Sequence, residues 1–102
     1  MEKNKILLVE HDEDLVKIMS ARLKIRNLKS EVALKVEPAL EIVVNEKPDV
    51  MILDLKMLGI DCMKMIRYVK TTYPDVQVII LSHHFSIKDR MEAFLSGAYA
   101  LL

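Results

Sequence analysis

Asp54 ends the run Pro48-Asp49-Val50-Met51-Ile52-Leu53-Asp54, directly after four apolar residues. A second acidic group, Glu10, Asp12, Glu13 and Asp14, follows another apolar run, Ile6-Leu7-Leu8-Val9. Runs this short and uninterrupted read as central parallel strands covered on both faces, because a one-sided strand would alternate. An acid just past such a strand lies at its carboxyl end, the edge where open α/β sheets bind ligands. Two strands that deliver acid to one edge suit a hard cation or a phosphoryl group. Mg²⁺ takes oxygen ligands, and a transferring phosphoryl group needs positive charge and positioning around it.

The elements that must hold these acids follow from apolar spacing. Ile6–Val9 predicts the first strand. Leu15, Ile18, Met19, Leu23 and Ile25 recur at three- and four-residue steps, the stripe of an amphipathic helix, with Asp12 or Asp14 as its cap. Asn27-Leu28-Lys29-Ser30 breaks it, and Glu31–Val36 alternates as an edge strand does. Pro38 suits the first turn of a second helix, whose apolar face is Leu40, Val43 and Val44. Pro48 closes that helix and the third strand runs to Asp54. Gly59 starts a loop, and Met63, Ile66, Val69 and Lys70 carry a helix that Tyr73-Pro74-Asp75 ends. Val76–Leu81 is the fourth strand. Ile87, Met91, Phe94 and Leu95 mark another helix stopped by Gly97, and Ala98–Leu102 is the fifth strand.

Strands and helices therefore alternate, and right-handed crossovers make one parallel sheet with helices on both faces. The expected fold is a doubly wound, flavodoxin-like α/β sheet of five strands in the order 2-1-3-4-5. That order sets strands one and three side by side, so Glu10 and its neighbours meet Asp54 at the topological switch point.

Bulk properties exclude several functions. Lys+Arg and Asp+Glu both number 15, so no excess charge argues for nucleic acid. Hydrophobic residues make up 52%, enough for a real core and against disorder. The lone Cys62 cannot form an internal disulfide, which fits a reducing cytoplasm. No segment approaches the roughly 20 apolar residues that span a bilayer, and Met1 to Lys5 precede too short an apolar run for a signal peptide.

These residues, taken in order, resemble the receiver domain of two-component response regulators. The matching pieces are Ile6-Leu7-Leu8-Val9-Glu10 with its trailing acids, Pro48 through Met57, Val78-Ile79-Ile80-Leu81-Ser82, and Gly97-Ala98. The resemblance implies that Asp54 is the phospho-acceptor and that Ser82 carries the switch hydroxyl. It implies Mg²⁺ held by Glu10, Asp54 and the backbone carbonyl of Lys56. A histidine kinase or phosphotransfer protein would be the donor, and a downstream protein partner would read the change. Neither nucleic acid nor membrane is implied for this domain, which would be cytoplasmic and not an enzyme.

Departures from the family pattern bear on activity. His11 stands at the position of the usual Asp ligand to Mg²⁺, and an imidazole is a poor ligand for a hard cation. Leu58 replaces a usual proline, Cys62 a usual glycine, and Leu101 a frequent aromatic switch residue. His83 follows Ser82 where a small residue is usual; His84 is not unusual. Residues 1–102 read as one receiver domain without the C-terminal Lys-Pro pair, the last helix or an output domain. An uncovered sheet face would then favour a homodimer.

Two functions stay open on the sequence. One is a phosphorylatable switch centred on Asp54. The other is a degenerate receiver that acts as a phosphorylation-independent interaction module, which His11, His83 and the missing lysine favour. A small phosphatase ranks last, for lack of a nucleophile–base pair. Asp12, Glu13 and Asp14 read equally as helix N-terminal acids favoured by the macrodipole. A transition-metal site from His11, His83 and His84 ranks below simple drift of the residues.

Overall fold

The computed structural model describes residues 5–81 together with Leu95, Gly97, Ala100 and Leu101, with 55–62 and 100–101 described through their backbone. The elements are β1 (Lys5–Val9), α1 (Glu13–Ile25), β2 (Lys29–Ala33), α2 (Val36–Glu46), β3 (Val50–Asp54), α3 (Leu55–Thr72), β4 (Gln77–Leu81) and β5 (Ala100–Leu101). They form one five-stranded sheet in the order β2-β1-β3-β4-β5. Every strand pair is parallel. The flavodoxin-like α/β fold read from the sequence is the fold of the chain. No helix among the described residues is long and apolar enough to cross a membrane.

The two faces of the sheet differ sharply. Leu7, Val9, Met51, Leu53, Val78 and Ile80 point one way and are fully buried with Ala39 and Val43 of α2 and Ile66 and Val69 of α3. On the other face Leu8 is fully buried, but Val50, Ile52, Ile79 and Leu81 are only half-buried. Right-handed crossovers put α1 on this second face. Its inward residues Leu15, Val16, Met19 and Leu23 are half-buried, and no residue of α1 is fully buried.

Local chemistry sets the helix ends. Asp12, not Asp14, caps α1: its Oδ1 accepts from the N–H groups of Asp14 (3.0 Å) and Leu15 (3.2 Å). Arg22 and Lys24 in the last turn complement the helix dipole, and Asn27, at φ 59°, turns the chain out. α2 ends on Lys47, left-handed at φ 47°, whose N–H reaches the Val43 carbonyl at 3.0 Å.

Three boundaries differ from expectation. β2 runs Lys29–Ala33 rather than Glu31–Val36, because its extent follows β1: Lys5 pairs with Lys29 and Val9 with Ala33. Val36 instead opens α2, and Pro38 stays within the first turn. The loop expected at Gly59 is absent, and α3 is helical from Leu55, directly after Asp54. Leu58 makes this feasible. Its N–H falls where helix geometry closes it on the Asp54 carbonyl, a bond that proline cannot donate. Cys62 sits within the same helix, where no positive φ is asked of it. Of the fourth helix expected from Ile87 to Leu95, Leu95 alone falls among the described residues and is helical, whereas Ile87, Met91 and Phe94 lie outside them. Within the expected fifth strand, Ala100–Leu101 is strand; Ala98 and Leu102 lie outside the described residues.

Lys70 ties the end of α3 to β4. Its Nζ donates to the carbonyls of Pro74 and Val76, both at 2.8 Å. Gly97 (φ 116°) rests on the stem of Lys70; a Cβ there would lie 2.8 Å from Cγ. Lys70→Met keeps the stem and strips the ammonium, leaving a part-buried carbonyl unpartnered, which costs about 1–3 kcal/mol. The urea midpoint should fall accordingly. An unchanged midpoint would mean that water replaces the ammonium without loss.

Candidate functional site

Pairing of Val9 with Leu53 makes Glu10 level with Asp54 at the carboxyl edge of adjacent strands. Backbone bonding continues past β1, since the Glu10 N–H donates to the Ala33 carbonyl at 3.1 Å. This extra bond holds Glu10 in the sheet, and its side chain is almost wholly buried, with 1% exposure. Oε1 accepts from the backbone N–H groups of His11 (3.0 Å) and Asp12 (3.1 Å). The His11 Nδ1 lies 3.4 Å from the same oxygen. Oε2 is also buried and has no satisfying donor. Burial pushes the Glu10 carboxyl above its ordinary value of 4.5; the Asp12 N–H pulls it down, and the neighbouring Asp54 carboxylate adds to the rise.

Two adjacent carboxyl groups, one with an orphaned buried oxygen, favour either a shared proton or a cation between them. The neighbouring carboxyl groups of Glu10 and Asp54 offer oxygen donors of the kind that a hard cation takes. His11 adds nothing to that pair: its ring turns to Glu10 Oε1 and is 60% exposed. No group of three His, Cys, Asp or Glu side chains is gathered for a metal among the described residues. Lys56 is the second residue of α3, so its carbonyl runs along the helix toward the N–H of Ile60. Service to a cation competes with that bond.

The remaining expected site residues divide cleanly. Asp12, Glu13 and Asp14 are the cap and first turn of α1, exposed, as the macrodipole reading has it. Ser82, His83 and His84 lie outside the described residues. Sequence reasoning missed the His11–Glu10 contact, although their adjacency at a strand end was visible. It also missed a pair at the opposite, amino edge of the sheet. There Glu31 of β2 is hydrogen-bonded to Glu46 of α2, and this bond raises the Glu31 carboxyl above its ordinary value, with burial helping and Lys5 opposing. Both acids line a cavity of about 310 Å³ with Lys5 and Lys29. Nothing in local spacing joins Glu31 to Glu46, since the contact needs β2 and α2 already packed.

The raised Glu10 carboxyl has a consequence for stability. Between pH 4.5 and the higher folded value, the native chain holds a proton that the unfolded chain has lost. Stability therefore falls as pH rises through that window, and the loss is complete above it. Glu10→Gln keeps the shape and the acceptor oxygen, removes the charge, and lets an amide face Asp54. Its thermal midpoint at neutral pH should exceed that of the parent, and the decline above pH 4.5 should flatten. A less stable variant at neutral pH would show that the carboxylate is already compensated.

Residues 6–102 match the family described as the response regulator receiver domain. Over 97 residues the chain is 32% identical to the transcriptional regulatory protein GlrR of Escherichia coli K12, covering 95% of this chain and 22% of that protein. It is 26% identical over 94 residues to the response regulator MprA of Mycobacterium sp. KMS, covering 92% of this chain and 41% of MprA. The chain thus spans between about a fifth and two fifths of the length of these relatives. A solved response regulator receiver domain protein from Clostridium thermocellum superposes with a TM-score of 0.87 at 27% identity, covering 96% of this chain and 79% of that one. A response regulator from Thermotoga maritima has the same fold, with a TM-score of 0.89 at 18% identity, covering 98% of this chain and 83% of that one.

Proposed function

This chain belongs to the response regulator receiver domain family, and we propose that its Asp54 accepts the phosphoryl group of a phosphorelay. Receiver domains are signalling modules of two-component systems rather than enzymes. The single observation that carries the proposal is the level pairing of β1 and β3, with the orphaned Oε2 of Glu10 beside Asp54. A histidine kinase or phosphotransfer protein is the donor. Its N–P bond breaks as an Asp54 carboxylate oxygen bonds to phosphorus, and the leaving imidazole keeps its electron pair and takes up a proton.

Glu10 and Asp54 are the carboxylates that would hold Mg²⁺, with the Lys56 carbonyl as a further oxygen. When bound, the cation supplies positive charge to the phosphoryl oxygens. Ser82 is assigned the hydroxyl that bonds the new phosphoryl group, and a downstream protein reads the change. His11 at the usual Asp position lowers cation affinity. A second reading, phosphorylation-independent binding by a degenerate receiver, is favoured by one observation: the His11 ring contacts Glu10 instead of offering an oxygen to the site.

A small phosphodonor such as acetyl phosphate, with Mg²⁺ in excess, tests the assignment. A low yield of hydroxylamine-sensitive acyl phosphate is expected, mapped to Asp54 and absent from Asp54→Asn. The same label on another carboxylate would overturn it.

A further inference from the structure

We infer that the outer surface of α2 and α3 is an interface for a second copy of this chain, paired about a two-fold axis that runs along the groove between the helices. The inference stands apart from the phosphoryl chemistry. Both helices pack on the same face of an all-parallel sheet and return against the strand direction, so they run parallel to each other. Between them lies a cavity of about 260 Å³, lined by Val36 and Leu40 of α2 and by Lys64, Met65 and Tyr68 of α3. Met65 is buried at its floor, whereas Tyr68 is nearly half exposed, as is Val44 one turn beyond Leu40. The rims carry opposite charge: Glu37 and Glu41 are exposed on α2, and Lys64 and Arg67 are exposed on α3. Among the described residues, no ion pair joins any of these four to another group.

Acid on one helix and base on its parallel neighbour make this surface complementary to itself. A two-fold turn about an axis along the helices lays α2 of one copy over α3 of the other at the same height, because Leu40 and Tyr68 share one cavity. Glu37 and Glu41 then face Lys64 and Arg67 of the partner subunit, and symmetry makes every contact twice. An axis across the helices would instead set α2 on α2, acid against acid. The charges fix this orientation, and the exposed ring of Tyr68 meets the apolar strip of Leu40 and Val44. The strip is short, so the contact belongs to the small class that forms at high protein concentration. It lies on the opposite side of the sheet from α1 and is independent of any association there.

An equal mixture of isotope-labelled and unlabelled chain, treated at high concentration with a zero-length carbodiimide cross-linker, tests the pairing. Peptides joining Glu37 or Glu41 to Lys64 should carry one label state on each side, and their yield should fall several-fold as salt screens the pairs. Glu37→Lys/Glu41→Lys makes both helices basic, and Lys64→Glu/Arg67→Glu makes both acidic. Each variant alone, checked as folded by circular dichroism, should lose the mixed links. Mixing the two should restore them, now between the introduced lysines and glutamates, since each helix again meets its opposite. Tyr68→Ser should lower the parent's yield several-fold. Links confined to single-label pairs, mixed links that join other surfaces only, or no restoration on mixing the reversed variants would overturn the inference. An unchanged yield in Tyr68→Ser would overturn the part given to the groove.

Discussion

His11→Asp should tighten Mg²⁺ binding by at least about tenfold, some 1.4 kcal/mol. The substitution returns a carboxylate to the residue after Glu10, at the edge where Oε2 of Glu10 is buried without a partner. Two opposite unit charges about 4 Å apart attract by roughly 4 kcal/mol per pair at an effective dielectric constant near 20. Desolvation of the new carboxylate and its repulsion from Glu10 and Asp54 cancel much of this, so tenfold is a lower expectation. The parent chain should remain unsaturated at ordinary millimolar Mg²⁺, followed through amide signals near Asp54. Repulsion should also make the cation-free variant less stable than the parent. Its thermal midpoint should rise with Mg²⁺ because only the folded state binds the ion. A parent chain saturated at millimolar Mg²⁺, or a variant with unchanged affinity, would show that His11 does not limit the site.

The second large effect concerns association. Val50, Ile52, Ile79 and Leu81 are half-buried on a face where α1 has no fully buried residue, while the opposite face is closed. Each large apolar side chain contributes about 1.5–3 kcal/mol when fully buried. Several left half-open therefore forgo an amount comparable to the roughly 5–15 kcal/mol stability of a small domain. Apolar area of this kind is the usual mark of an interface, and a second copy is always present at its own concentration. The purified chain should sediment at micromolar concentration as a dimer, closed through the β4–β5 side of that face. Its thermal midpoint should rise with protein concentration, since association stabilises the folded state by mass action. A cooperatively unfolding monomer with no concentration dependence would contradict this.

The contrast between elements shows what local sequence can carry. β1, β3 and β4 were legible because uninterrupted apolar runs have few other solutions than a doubly covered strand. Their order and parallel register then carried Glu10 to Asp54 without any side-chain knowledge. β2 was misplaced because its alternation extends past Ala33, while its true extent is set by the five residues of β1 that pair with it. The start of α3 was hidden for a different reason. Gly59 reads as a breaker, costing about 1 kcal/mol in a helix, yet Leu58 lets the helix close onto Asp54 across it. The orphaned Oε2 of Glu10 and the placement of the His11 ring beside Oε1 depend on rotamers, which spacing does not encode. The Glu31–Glu46 pair needed two packed elements before it existed at all.

Beryllium fluoride, a mimic of the phosphoryl group on a carboxylate, tests the central assignment most directly when followed by amide NMR at high Mg²⁺. The account predicts partial occupancy in the parent, with shifts centred on Glu10 and Asp54 at the carboxyl edge of β1 and β3. His11→Asp should bring occupancy to completion, and Asp54→Asn should abolish every shift. Full occupancy of the parent at low Mg²⁺, or shifts that persist in Asp54→Asn, would contradict it.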